Sequence, residues 1–152
     1  MKKSTLVAAT LLATTFSIQA FAQTVEVKDA WARATVQGQM ATGAFMKLTS
    51  KEGSRLVAAS SPVAGVTEVH EMVMDNNVMK MRAVPGLDLP AGKAVELKPG
   101  GYHVMLMDLK APLKKDTTIP LTLVFKDAKG VESKTELKVP VNAAAPMAEH
   151  KH

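Results

Sequence analysis

From Val25 onward, apolar and polar positions alternate in short runs with a period of two, and no stretch sustains the period of a helix. Val25, Val27 and Trp31 predict an opening strand with Trp31 as a core aromatic. Gly43 to Thr49 reads as a second strand and Arg55 to Ser60 as a short third. Val66 to Met74 and Val78 to Val84 flank Asp75-Asn76-Asn77, a hairpin signal. Leu87 to Gly92 reads as a loop leading to Val95-Glu96-Leu97, and Pro99-Gly100-Gly101 turns the chain into His103 to Leu109. Ile119 to Phe125 and Val131 to Val141 close with a hairpin around Asp127-Ala128-Lys129-Gly130. Strands punctuated by Gly, Pro and Asn about every eight to twelve residues predict an all-β sandwich or barrel. The chain has no internal repeat.

The two ends break this pattern. Met1-Lys2-Lys3 is followed by an apolar stretch from Leu6 to Ile18 and then Ala20-Phe21-Ala22, the layout of a cleaved secretory signal over residues 1–22. The apolar run is shorter than the ~20 residues a membrane-spanning helix requires. No Cys follows it to accept a lipid, so export without stable membrane insertion is expected, with a bacterial periplasm as the destination. A β-domain over 23–141 follows. Residues 142–152, Asn-Ala-Ala-Ala-Pro-Met-Ala-Glu-His-Lys-His, offer nothing to bury and read as a flexible tail.

Removing the signal's two lysines lowers the formal charge from +5 to +3. The remaining charge is interspersed, as where Lys126 and Lys129 flank Asp127, and such mixing marks a solvated face. No basic run interleaved with aromatics points to nucleic acid. The chain has no cysteine, so an exported domain must rely on its core alone and cannot bind metal through thiolate. No Ser-His-Asp set, open carboxylate metal site or phosphate loop is legible, so catalysis is not expected. Ten methionines are the compositional oddity, eight of them between Met40 and Met107. Flexible core filling is the ordinary use of methionine, and Met40 and Met46 are assigned to a structural role.

Between Val25 and Val141 there are two histidines, His70 and His103, each with a methionine two residues on. On a strand, His103 and Met105 share a face, as do His70 and Met72. If Asn76-Asn77 is a two-residue hairpin loop, Met72 faces Met81, and His70 lies diagonal to Met81 on the same face. A loop one residue longer would turn Met81 away. Two imidazoles with two thioethers are soft, uncharged donors suited to Cu(I) rather than to Zn(II) or Mg(II). His70, Met81, His103 and Met105 are therefore the candidate ligands for one Cu(I). The competing reading makes one histidine a satisfied core residue and the methionines gap fillers. Met72, Met74, Met79 and Met107 stand between the same two roles, lining a sulfur-rich path or filling the core. Glu71 should face away from His70. Met147, His150 and His152 could hold Cu(II) in the tail, although histidines at a frayed terminus also arise by chance.

The spacing of His70, ten residues, Met81, twenty-one residues, His103, one residue, Met105 resembles the signature of the PCu(A)C family of periplasmic copper chaperones. Asp29-Ala30-Trp31-Ala32-Arg33, Arg55-Leu56-Val57 with Ser61-Pro62, and Leu89-Pro90-Ala91-Gly92 are also similar. So is the block from Pro99-Gly100-Gly101-Tyr102-His103 through Met107, continued by Leu109 to Leu113. The resemblance spans Thr24 to Val141. It implies a cupredoxin-like Greek-key β-sandwich, a monomer, that carries Cu(I) near its surface to an acceptor such as the oxidase CuA domain or a Sco-type protein. A blue-copper electron carrier needs a Cys thiolate, which this chain lacks. Two other readings remain, a copper-buffering or resistance protein and a metal-free β-sandwich interaction module.

Overall fold

The computed structural model describes residues 25–145. The expected signal peptide and the His- and Met-bearing end of the tail lie outside them. The described chain forms ten strands: β1 (Val25–Arg33), β2 (Ala41–Ser50), β3 (Ser54–Ser60), β4 (Ala64–Asp75), β5 (Val78–Ala83), β6 (Leu87–Leu89), β7 (Ala94–Leu97), β8 (His103–Leu109), β9 (Thr118–Lys126) and β10 (Glu132–Asn142). No helix occurs among the described residues.

One sheet runs β5-β4-β8-β2-β1, with β7 also pairing to β2 beyond the point where β8 ends. The other runs β10-β9-β3-β6. A short parallel pairing of Ala32 and Arg33 with Val141 and Asn142 joins them, and every other pairing is antiparallel. The strands are those of the all-β architecture that the alternation predicts, and the fold is cupredoxin-like, as the family resemblance implies.

The alternation that predicts the strands also builds the core. Ile119, Leu121, Leu123 and Phe125 point inward from β9, and Ala44, Met46 and Leu48 from β2. Val69 of β4 and Val104 and Leu106 of β8 complete the inner face of the first sheet. Each fully buried Leu or Phe contributes about 1.5–3 kcal/mol relative to an exposed position. Met46 belongs to this core, as assigned, whereas Met40 is exposed.

Two expectations are corrected. Leu87 to Leu89 is not loop but the edge strand β6, pairing with Ser54 to Leu56. Leu87 and Leu89 are buried and Asp88 is exposed, but three residues of alternation are too few to stand out beside Pro90-Ala91-Gly92. Trp31 is buried, yet it lies outside the core between the sheets. A bulge in β1 between Lys28 and Trp31, with Asp29 at φ 54°, shifts the register by one. Val25 and Val27 face inward before the bulge, and Ala30 and Ala32 after it. Trp31 is thereby turned to the outer face, opposite Phe45.

Candidate metal site on the outer face of the first sheet

The β4–β5 hairpin has the register that its loop dictates. Asn76 and Asn77 both adopt positive φ, 48° and 63°, as a two-residue turn with the twist of paired strands requires. Met74 therefore pairs with Met79, Met72 with Met81, and His70 with Ala83. On its other side β4 pairs with β8 so that His70 lies directly opposite His103 and Glu68 opposite Met105. Since the inward partners Val69 and Val104 pair with each other, all of these residues share the outer face. The structure thus brings His70, Met81, His103 and Met105 onto one surface from three adjacent strands. Glu71 alternates to the other face, where Arg82 binds it, as expected.

The two imidazoles are each fixed on one side and free on the other. His103 donates from Nδ1 to the carbonyl of Gly101 at 3.0 Å, which leaves Nε2 unprotonated. His70 donates from Nε2 to the Glu68 carboxylate at 3.0 Å, so in the neutral ring Nδ1 carries the free lone pair. Both remaining nitrogens, His70 Nδ1 and His103 Nε2, are buried without a hydrogen-bond partner. Such orphaned acceptors are costly in a folded interior, and here two of them stand on neighbouring strands with ring centroids 5.9 Å apart, a pair of lone pairs that a metal ion would satisfy. Holding a histidine by its distal N–H is also how ligating imidazoles are oriented. His103 is only 4% exposed. Burial pushes its pKa below 6.5, the Gly101 carbonyl pulls the other way, and the neighbouring His70 lowers it further. His103 is thus kept neutral, with its lone pair available.

Beside His103 lies a cleft of about 320 Å³ lined by Met72, Met81, Met105, Phe45 and Arg33, among others, while His70 stands behind His103 and does not line it. Met81 is 47% exposed, so the thioether side of the site opens to solvent while the imidazole side is covered. The cover is aromatic. Phe45 stands 6.3 Å from His103 and 4.8 Å from Trp31 between centroids, and the Arg33 guanidinium lies 5.7 Å from the centre of the Phe45 ring. Gly43, opposite Met105, makes room for this wall, since a Cβ there would stand 2.7 Å from Phe45 Cζ.

Among the described residues no group of three or more His, Cys, Asp or Glu could hold a metal. The donors gathered on this face are instead two imidazoles and the thioethers of Met72, Met81 and Met105. Thioethers with two imidazoles form a neutral, soft set that disfavours hard divalent cations. Sequence reasoning missed Glu68, Gly43 and Phe45. Glu68 was findable, because it stands two residues before His70 and so on the same face of the strand. The role of Gly43 depends on where the Phe45 ring falls, which alternation does not give.

Fold and face together define the class, a cysteine-free cupredoxin-like protein with a His/Met surface cluster. The family described as "Putative lipoprotein LpqE-like" matches residues 25–141, and the chain belongs to this family, the PCu(A)C type that its sequence resembles. Lxx21020 of Leifsonia xyli subsp. xyli, likewise described as a lipoprotein, is 37% identical over 150 residues, covering 91% of this chain and 88% of its own. The solution structure of CuI-DR1885 from Deinococcus radiodurans is 32% identical, with 82% of each chain covered and a TM-score of 0.61. The copper-bound PCuAC domain from PmoF2 is 21% identical and shares the fold over 81% of this chain and 96% of its own, with a TM-score of 0.65.

Proposed function

We propose that this protein is an exported, periplasmic carrier of Cu(I), binding one ion through His70 Nδ1, His103 Nε2 and the sulfurs of Met81 and Met105. The observation that carries the reading is the pair of buried, unpartnered imidazole nitrogens beside solvent-open thioethers. The DR1885 relative, described with Cu(I), adds support, and the lipoprotein descriptions of the family and of Lxx21020 support export.

The arrangement suits delivery as well as binding. Neutral thioethers on the open side can be displaced one at a time by an incoming thiolate, while the covered imidazoles hold the ion until the last exchange. With no cysteine in the chain, nothing competes with a thiol acceptor on equal terms. The acceptor we favour is an oxidase CuA domain or a Sco-type thiol protein, met by a monomeric carrier without catalytic chemistry of its own. The test mixes Cu(I)-loaded protein anaerobically with an equal concentration of a reduced, copper-free acceptor of either kind, followed by separation and metal analysis. Copper should move to the acceptor. Full retention against both would instead favour sequestration, and a protein that takes up no copper would leave only the interaction-module reading.

A further inference from the structure

The β4–β5 hairpin has two unlike faces. One is laced with ion pairs, Lys80 to Asp75 at 2.5 Å and Arg82 to Glu71 at 2.6 Å. The other carries two stacked rungs of sulfur, Met74 opposite Met79 and Met72 opposite Met81. Strand β5 is the sheet edge and is exposed along its whole length. Met74 is 65% and Met79 47% exposed, so filling the core does not explain them. An exposed strand position ordinarily takes Thr, Val or a charge; two flexible thioethers facing each other there need another reason.

That reason lies one rung below. Directly opposite residues on paired strands have Cβ atoms about 4.5–5.5 Å apart, within the span of two methionine side chains converging on one ion. Successive rungs on one face are about 7 Å apart. Met81 belongs to both levels, facing Met72 on the hairpin and lining the cleft with His103 and Met105. We propose that Met74, Met79 and Met72, joined by Met81 while the lower site is empty, form a second soft-metal station, an all-thioether loading site for Cu(I) at the hairpin tip. This inference rests on the copper-carrier reading of the His/Met site. Passage between the levels swaps one neutral sulfur for another. Copper stays monovalent, and no proton or electron moves. Without imidazole the upper station binds more weakly than the lower one, as a transit point must.

The test uses the mature protein labelled with ¹³C at the methionine methyls, titrated anaerobically with Cu(I), beside a Met74→Leu, Met79→Leu double variant. Leucine keeps the bulk at exposed positions, so the fold and the first binding event should be preserved. In the wild type the first equivalent should shift the Met81 and Met105 methyls. Copper beyond one equivalent should then shift Met74 and Met79. The variant should lose the second event and hand its copper to a thiol chelator severalfold more slowly. Met74 and Met79 methyls that stay in place through several equivalents would overturn the station while leaving the lower site intact, as would a variant whose second event matches the wild type. A first equivalent that leaves Met81 and Met105 unmoved would instead defeat the carrier reading, and the station with it.

Discussion

In Glu68→Ala the carboxylate that accepts the His70 Nε2 proton at 3.0 Å is removed, while all four candidate copper donors stay in place. His70 then loses the contact that fixes its tautomer, and the proton is free to occupy Nδ1, the nitrogen needed for the metal. Removing an outer hydrogen bond of this kind typically costs about 10–100-fold in metal affinity. The Glu68 side chain is 45% exposed, so water replaces part of what is lost, and the expectation falls at the lower end. About tenfold weaker Cu(I) binding corresponds to ~1.4 kcal/mol. Fold stability should change little, because the Glu68 side of the contact is open to water and a typical hydrogen bond contributes only about 0.5–1.5 kcal/mol net. Glu68→Gln keeps an acceptor oxygen and should recover most of the affinity. The assay is anaerobic competition against a chromophoric Cu(I) chelator at neutral pH, with thermal melting of the apo protein as the control. Wild-type affinity in Glu68→Ala would refute the idea that this carboxylate prepares His70, and a large loss of melting temperature would show that its role is structural.

Two further outcomes follow from the imidazole and from the aromatic wall. Because burial lowers the His103 pKa below 6.5, its NMR titration midpoint in the apo protein should lie under that value, and acid should begin to displace copper from His103 only below it. The same shift makes the apo fold lose stability as pH falls from 6.5 toward the depressed value, since the unfolded chain takes the proton first; a midpoint at or above 6.5 would contradict both. Gly43→Ala places a Cβ 2.7 Å from Phe45 Cζ, which should swing the ring, cost about 1–3 kcal/mol in urea unfolding and shift the His103 ring resonances. Unchanged stability with unchanged His103 shifts would mean that Phe45 does not wall the site.

Much of the site was legible because strand geometry is periodic and the turn is explicit. Asn76-Asn77 fixes a two-residue loop, the loop fixes the register, and the register places Met72 across from Met81. The contact of His70 with His103 was not legible, because nothing local in the sequence says that β4 lies beside β8. Trp31 was misplaced for a different reason. Its alternation with Val25 and Val27 is genuine, but the bulge at Asp29 breaks the period, and a single aspartate does not announce a bulge. Glu68 shows that the same alternation that located the ligands also carried the residue that orients one of them. The aromatic wall depends on side-chain packing over Gly43, which no period encodes.

X-ray absorption at the copper edge of the Cu(I)-loaded protein, measured beside a Met81→Leu, Met105→Leu double variant, tests the central claim most directly. The account predicts a copper shell of two sulfur and two nitrogen neighbours in the wild type and loss of that sulfur contribution in the variant, with the fold unchanged. A shell of nitrogen and oxygen alone, or a sulfur signal that survives the double substitution, would contradict it.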